Sequence, residues 1–401
     1  MPPNRLSLRL GQLPHDVLAD LAARLCSDSP ALQATAEECI AAHKPLPPWA
    51  VERVLLSPDL MPHILGPLVA EDGAAAAVCS QWLAGWKATN EPRRRLKQVP
   101  LELPEEVLSL PSRSTSSYQR TSQSSGKFMA ATPDGRLVVN RSTEVHILDR
   151  SMRVLQTLAG VEYGGFGGLI AANDESFFDC RSDGETLRRT SHDGTVYAEY
   201  QVEGHSFYCP VLAPGGLLFC VICTNSENSE GENEVDVELD AIIAVDAQTL
   251  QLRHRFGLGL LNDAHQLAVV GDELYVCDTN NNRLQVFSLT GEHRRSIVGE
   301  WRSPKYLCFA KDRLYLVERN PWEDGDDGDF SDSFQGRRIL VLSLQGDILQ
   351  VVKHLTLPTA DFDGLCCFDD KLLAHYHYLL KMPAASSGFL PTHGILALQG
   401  L

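Results

Sequence analysis

Six times along this 401-residue chain a turn-forming dipeptide opens a short apolar strand, and that recurrence constrains the fold more than any other feature. The copies are "PDGRLVVN" at Asp134, "NDESFFDC" at Asp174, "PGGLLFCV" at Gly215, "GDELYVCD" at Asp272, "KDRLYLVE" at Asp312 and "DDKLLAHY" at Asp370. Successive anchors are 40, 41, 57, 40 and 58 residues apart, so three steps agree and two are longer by a similar amount. The surplus in each long step is a polar, acidic tract, "TNSENSEGENEVDVELD" from Thr224 and "RNPWEDGDDGDFSDSFQG" from Arg319. Both tracts fall between the second and third strands of their unit, as insertions into a hairpin connection do.

A second strand follows in most copies: "EVHILD", "AIIAVD", "RLQVFSL", "RILVLSL" and "GILALQG". The second copy, "TLRRTSHDG" from Thr186, is weaker. Several of these runs lead through a turn into another, so each unit amounts to about four short strands, the content of one propeller blade. A blade cannot bury both its faces alone, and copies of this kind stack around an axis. The expected fold is mainly β, a six-bladed β-propeller over residues 127–401. The sixth unit ends at "GILALQGL" one strand short. The Ser-rich stretch 101–126 reads either as a linker or as the source of the missing strand, with "EEVLSLP" (105–111) or "SYQRTSQ" (117–123) as the donor that removes the open edge.

The fourth copy, "LYVCDTNNNRLQVFSLTGE", resembles the NHL repeat: an apolar strand, Asp, a short polar link with Asn and Arg, a second strand, and a Gly turn. Asp278, Asn282, Arg283 and Gly291 hold those positions. The third, fifth and sixth copies lack the Asp-to-Arg link, and the first two match loosely. No WD dipeptide or double-Gly kelch pattern recurs, although WD40-like and kelch-like propellers remain the alternatives.

Residues 1–100 read differently, as a small all-α region. "LPHDVLADLAARLC" sets Leu13, Val17, Leu18, Leu21 and Leu25 on one helical stripe, and an alanine-rich helix follows. Residues 54–96 place Leu55, Leu56, Leu60, Ile64, Leu65 and Leu68 on one short helix, then a turn, then a helix with Val78, Trp82 and Trp86. This pair resembles the F-box, whose second helix carries a Val-Cys-x-x-Trp signature, here Val78, Cys79 and Trp82. Ser57 departs from the family by separating Leu56 from Pro58, and "GAAAA" replaces bulkier residues. The resemblance implies that Leu56, Pro58, Leu60, Ile64, Leu65, Val78, Cys79 and Trp82 form an adaptor-facing or core-supporting surface. It further implies docking on a Skp-type adaptor of a cullin ubiquitin ligase, with the propeller holding a protein substrate. A helical cap packed on the propeller is the alternative reading of the same residues.

The formal net charge is −17. Residues 1–100 carry 10 basic and 10 acidic residues, so the excess lies entirely in the repeat region. Nucleic-acid partners require basic surface and are not expected. No apolar run approaches the roughly 20 residues that cross a bilayer, and no apolar signal core precedes the first charges, so a cytoplasmic or nuclear location is expected. The 11 cysteines are scattered through apolar runs, as small core residues are. "CVIC" (Cys220, Cys223) lies within a strand pattern that has no partner pair.

Catalytic chemistry has few candidates. His265, with His375 and His377 on one face of an extended run, suits a metal-dependent propeller lyase or lactonase, but the set does not recur at equivalent repeat positions. "EDGDDGDFSD" (323–332) fails the ligand order of a helix-loop-helix calcium site. Phosphate loops and nucleophile elbows are not present in the sequence. A non-enzymatic interaction protein without cofactor is the expectation.

Overall fold

The computed structural model describes residues 65, 80–88, 94–104, 107, 128–140, 144–159, 171–180, 184–224, 240–319, 336–357, 360–381 and 389–401. The chain divides into two compact units, Met1–Leu96 with Gly400 and Lys97–Gln399 with Leu401. In the first, α1 (Ser80–Ala88) places Lys87 in its last turn, where a cation complements the helix dipole. Its Trp82 is buried, and so is Leu65. Leu56, Pro58, Leu60, Ile64, Val78 and Cys79 lie outside the described residues. Among the described residues no helix is long and apolar enough to cross a membrane.

The second unit holds six four-stranded antiparallel sheets. Blade 1 is β2 (Phe128–Ala131), β3 (Leu137–Asn140), β4 (Glu144–Leu148) and β5 (Val154–Ala159). Blade 2 is β6 (Ala171–Ala172), β7 (Ser176–Cys180), β8 (Thr186–Ser191) and β9 (Val196–Gln201). Blade 3 is β10 (His205–Ala213), β11 (Leu217–Thr224), β12 (Ala241–Asp246) and β13 (Leu252–Phe256). Blade 4 is β14 (Ala264–Val270), β15 (Glu273–Asp278), β16 (Arg283–Ser288) and β17 (His293–Val298). Blade 5 is β18 (Pro304–Ala310), β19 (Arg313–Glu318), β20 (Ile339–Leu342) and β21 (Ile348–Val352). Blade 6 is β22 (Asp361–Phe368), β23 (Lys371–Lys381), β24 (Phe389–Gln399) and, from the far end of the chain, β1 (Lys97–Val99).

Each recurrent anchor occupies the turn between the first and second strands of its blade. In "KD" and "DD" both central residues have positive φ (Lys311 45°, Asp312 70°; Asp369 47°, Asp370 58°). Such primed turns match the twist of the strands they join. The first strands of successive blades lie against one another in a closed cycle, β2, β6, β10, β14, β18, β22 and back to β2. They are therefore the inner strands of a six-bladed β-propeller.

The core lies between blades. Tyr275, Leu284 and Val286 of blade 4 pack with Leu314, Leu316 and Leu340 of blade 5. Met129, Leu137 and Val139 of blade 1 pack with Phe368, Leu373 and Ile395 of blade 6. Each such side chain contributes about 1.5–3 kcal/mol when fully buried. Second and third strands are buried on both faces because both faces meet a neighbouring blade, whereas outer strands such as β17 and β9 alternate toward solvent.

The closing strand differs from the sequence expectation. It is Lys97–Val99, paired Lys97 to Gln399, Gln98 to Leu398 and Val99 to Ala397, upstream of both segments proposed for it. The propeller thus begins at Lys97 rather than at 127. The segment just after β1 is also not a bare linker, since Leu101, Leu103 and Val107 pack on the core between blades 6 and 1. Three residues with a Lys and a Gln bear no strand signature; what recruits them is the unpaired backbone of β24.

Candidate functional site

Strands alternate in direction, so the starts of first strands, the ends of second strands and the starts of third strands share one face of the propeller. This loop face also carries every connection between a second and a third strand. The two acidic tracts leave from it: residues 225–239 join β11 to β12, and 320–335 join β19 to β20. In blade 6 the same connection is lengthened differently, by extending β23 and β24 to 11 residues each.

Two carboxylate–guanidinium clamps stand on this face. Asp278, at the end of β15, is fully buried and accepts from Arg283 Nε (2.7 Å), Asn281 Nδ2 (2.9 Å), Gln285 Nε2 (3.3 Å) and the backbone N–H of Asn262 (2.8 Å). Arg283 turns its other arm to the Leu260 carbonyl (3.1 Å). One blade further, Glu318 accepts from Arg338 Nε (2.7 Å) and from the Arg302 N–H (2.9 Å), while Arg338 reaches the Glu300 carbonyl (3.3 Å). The carboxylates and both backbone partners of the second clamp lie 40 positions after their counterparts in the first. The clamp pins the loop that leads into each inner strand. The fifth blade therefore carries the link that its sequence seemed to lack; Glu stands for Asp, and the inserted tract separates it from its Arg.

Blade 2 has a further version, Asp179 opposite Arg188 on adjacent strands at 2.7 Å, both nearly fully buried. Arg189 beside it donates to Ser176 Oγ (2.9 Å) and the Gln248 carbonyl (3.1 Å). This explains the weak second copy, whose core-facing β8 is built from arginines with satisfied donors. Asn282 takes a left-handed φ of 55° and accepts from the Ser303 N–H (2.8 Å), tying blade 4 to blade 5. Asp240, also just before a third strand, accepts from the Ala264 N–H and ties blade 3 to blade 4. Gly291 has φ 90°, and a Cβ there would meet the Phe256 ring at 2.7 Å.

Nearer the axis, inner strands carry register irregularities at their loop-face ends, between Tyr208 and Val211, Ala264 and Leu267, Pro304 and Tyr306, and Phe362 and Gly364. Bulges re-aim side chains. The residues they contain are Cys209 with Pro210, His265 with Gln266, Lys305, and Asp363.

His265 lies among groups from blades 4 and 5. Its Nδ1 is 3.0 Å from the Asp263 carbonyl and 3.2 Å from Thr279 Oγ1, and its Nε2 is 3.4 Å from Arg319, which also pairs with Asp263. The Thr279 hydroxyl hydrogen goes to the Pro304 carbonyl (2.7 Å), so at Nδ1 the hydroxyl can only accept. Nδ1 therefore carries the proton, and the Nε2 lone pair faces a guanidinium. Burial, with Lys305 and Arg319 nearby, pushes the imidazole down to about 4. A neutral ring with its lone pair directed at Arg319 is neither a ready metal ligand nor a base matched to neutral pH.

His375 and His377 do share one face of β23, and they face blade 6 carboxylates rather than His265. His377 Nδ1 is 2.5 Å and His375 Nδ1 3.5 Å from Asp363 Oδ2, and His377 Nε2 is 3.8 Å from Asp361 Oδ2. Arg337 Nε is 3.3 Å from Asp361 Oδ1. Among the described residues, no group of three or more His, Cys, Asp or Glu side chains is arranged to hold a metal ion. Cys220 and Cys223 sit three apart on β11, which sends them to opposite faces.

Burial raises the Asp361 carboxyl from its ordinary 3.8 to about 6, against the opposing pull of His377 and Arg337. The folded state then holds this proton more tightly than the unfolded chain. The stability that the proton confers is fully present below about pH 4 and is lost as the pH rises through about 6. Asp361→Asn, a permanently neutral side chain, is expected to gain stability over the wild type by up to about 2 kcal/mol between pH 4.5 and pH 7, read by urea denaturation at both. An equal difference at the two pH values would show that Asp361 does not titrate in this window.

The NHL repeat family model matches residues 261–287, the segment that holds the first clamp. No curated protein matches the chain. Among solved structures, a luciferin-regenerating enzyme is similar over 69% of this chain and 91% of its own, at 14% identity and a TM-score of 0.46. Regucalcin of Agrobacterium tumefaciens, a calcium-binding protein, covers 68% and 90% at 15% identity and 0.44. The WD40 β-propeller domain of Doa1 covers 68% and 77% at 14% and 0.43. At these identities and scores they assign no activity to the chain. Residues 261–287 carry an NHL repeat, set in the fourth blade of a six-bladed β-propeller.

Proposed function

We propose that this protein is a recruiting scaffold that binds a protein partner on the loop face of its propeller. The observation that carries this reading is that blades 3, 5 and 6 all lengthen the connection between second and third strands, and all on that one face. Residues 225–239 and 320–335 contain 12 Asp and Glu and no Lys or Arg. A basic partner segment is the complementary chemistry, and its capture weakens with added salt. The ionisable groups beneath these loops hold the blades together, so the face favours recognition over catalysis.

The amino-terminal unit supplies the second half of the proposal, an F-box-like module that docks on a Skp-type adaptor and brings the partner to a cullin ubiquitin ligase in the cytoplasm or nucleus. Trp82 is buried in that unit, so its role there is core support; Ile64 is among the residues to which the F-box resemblance assigns the adaptor-facing surface. The test is a pull-down with purified adaptor, comparing the wild type with Ile64→Asp, both checked by thermal melting. Capture by the wild type, reduced at least tenfold in a still-folded variant, supports the ligase role. A well-folded wild type that captures no adaptor leaves a propeller scaffold without a ubiquitin link.

A further inference from the structure

Two cysteines on neighbouring inner strands bring their sulfur atoms close together. Cys308 on β18 and Cys367 on β22 have Sγ atoms 3.4 Å apart. Both are partly exposed, whereas Cys180, Cys209, Cys220, Cys277 and Cys366 are buried. The two are 59 residues apart and belong to different blades, so a bond between them is a bond between blades 5 and 6. A disulfide has its sulfurs about 2.05 Å apart, so closure requires an approach of about 1.4 Å, within reach of modest side-chain rotation.

We infer that Cys308 and Cys367 form a site of oxidative modification, at which a peroxide converts the two thiols into a disulfide joining the inner strands of blades 5 and 6. The Cys367 thiolate attacks one peroxide oxygen; the sulfur–oxygen bond forms, the oxygen–oxygen bond breaks, and the departing oxygen leaves as water after taking a proton. Cys367 is then a sulfenic acid. The Cys308 sulfur attacks the Cys367 sulfur, the sulfur–sulfur bond forms, and the sulfur–oxygen bond breaks. The departing hydroxide takes the Cys308 proton and leaves as a second water. Two thiols lose two electrons in total, and one peroxide is reduced to two waters.

The two sulfurs are not equivalent. Although the Cys308 residue is partly exposed, its sulfur is packed away from water, and this desolvation with the contact with Cys367 holds the thiol well above its ordinary pKa, so Cys308 keeps its proton and suits the resolving role. Its position against Cys367 lets it trap the sulfenic acid before a second peroxide does. The bond adds a covalent joint between two consecutive blades of a ring in which β1 completes the sheet of blade 6.

The test uses the full chain, reduced and then treated with equimolar hydrogen peroxide, alkylated, and digested without reductant for mass spectrometry. The expected product is a Cys308–Cys367 linked peptide pair, two hydrogen atoms lighter than the reduced pair. It is absent from Cys308→Ser and Cys367→Ser and retained in Cys366→Ser. The oxidised wild type melts about 5 °C higher than the reduced protein and returns to the lower value with dithiothreitol. Recovery of both cysteines as alkylated thiols, of Cys367 as sulfinic or sulfonic acid, or of a link to a different cysteine overturns the proposal. The wild-type digest decides among these outcomes even where a serine variant fails to fold.

Discussion

Asp278→Ala is expected to destabilise the propeller by about 3–5 kcal/mol, a fall in melting temperature of roughly 6–10 °C. The carboxylate is fully buried, and its loss strands four donors at once: the Asn262 N–H, the Arg283 guanidinium, and the side-chain amides of Asn281 and Gln285. Gln285 is itself buried, so water cannot easily replace the lost acceptor. Arg283→Ala is milder, about 2–3 kcal/mol, because the carboxylate keeps its amide donors. The damage is local in origin, and hydrogen exchange locates it: the Asn262 amide should exchange faster in Asp278→Ala before the blade 1 amides change. Glu318→Ala should reproduce the effect one blade on, at the Arg302 amide. A melting temperature within 2 °C of the wild type for Asp278→Ala would mean that the clamp is not a stabilising element.

The blade count was legible because its signal is local. A turn dipeptide followed by an apolar strand is a property of eight adjacent residues, and all six occur at the first hairpin of their blade. The placement of the long tracts between second and third strands was legible for the same reason. Interactions that skip along the chain were not. Glu318 and Arg338 make the same clamp as Asp278 and Arg283, yet an insertion of variable length hides the pairing from any fixed spacing. Arg188 and Arg189 make the second copy a weak strand pattern, because a buried arginine becomes tolerable only through its partners, Asp179 opposite Arg188 and Ser176 beside Arg189 on the neighbouring strand. The neutral state of His265 was not legible, since it comes from burial together with Lys305 and Arg319 of the next blade, 40 and 54 residues away in sequence.

Replacing Lys97-Gln98-Val99 with Gly-Pro-Gly is expected to cost about 3 kcal/mol and to make the protein self-associate. β1 contributes the fourth strand of blade 6, and its three residues pair with Ala397–Gln399 of β24. Proline removes a ladder donor, and glycine removes the Val99 side chain from the core shared by blades 6 and 1. The Gln98 side chain also accepts from the Leu355 N–H, so the strand anchors the loop that follows β21. Two or three lost backbone bonds at roughly 1 kcal/mol each, plus that packing, give the stated magnitude. The larger consequence is geometric. Loss of β1 frees the edge of β24 at Ala397–Gln399, which can then template pairing with another chain. Light scattering should show mass growing with concentration in the variant while the wild type stays constant, and the melting transition should broaden as blade 6 loosens ahead of the rest. A variant that melts like the wild type and keeps a constant mass would place the closure of the ring in the inner-strand packing of β22 against β2 and β18, with β1 only lying against an already closed propeller.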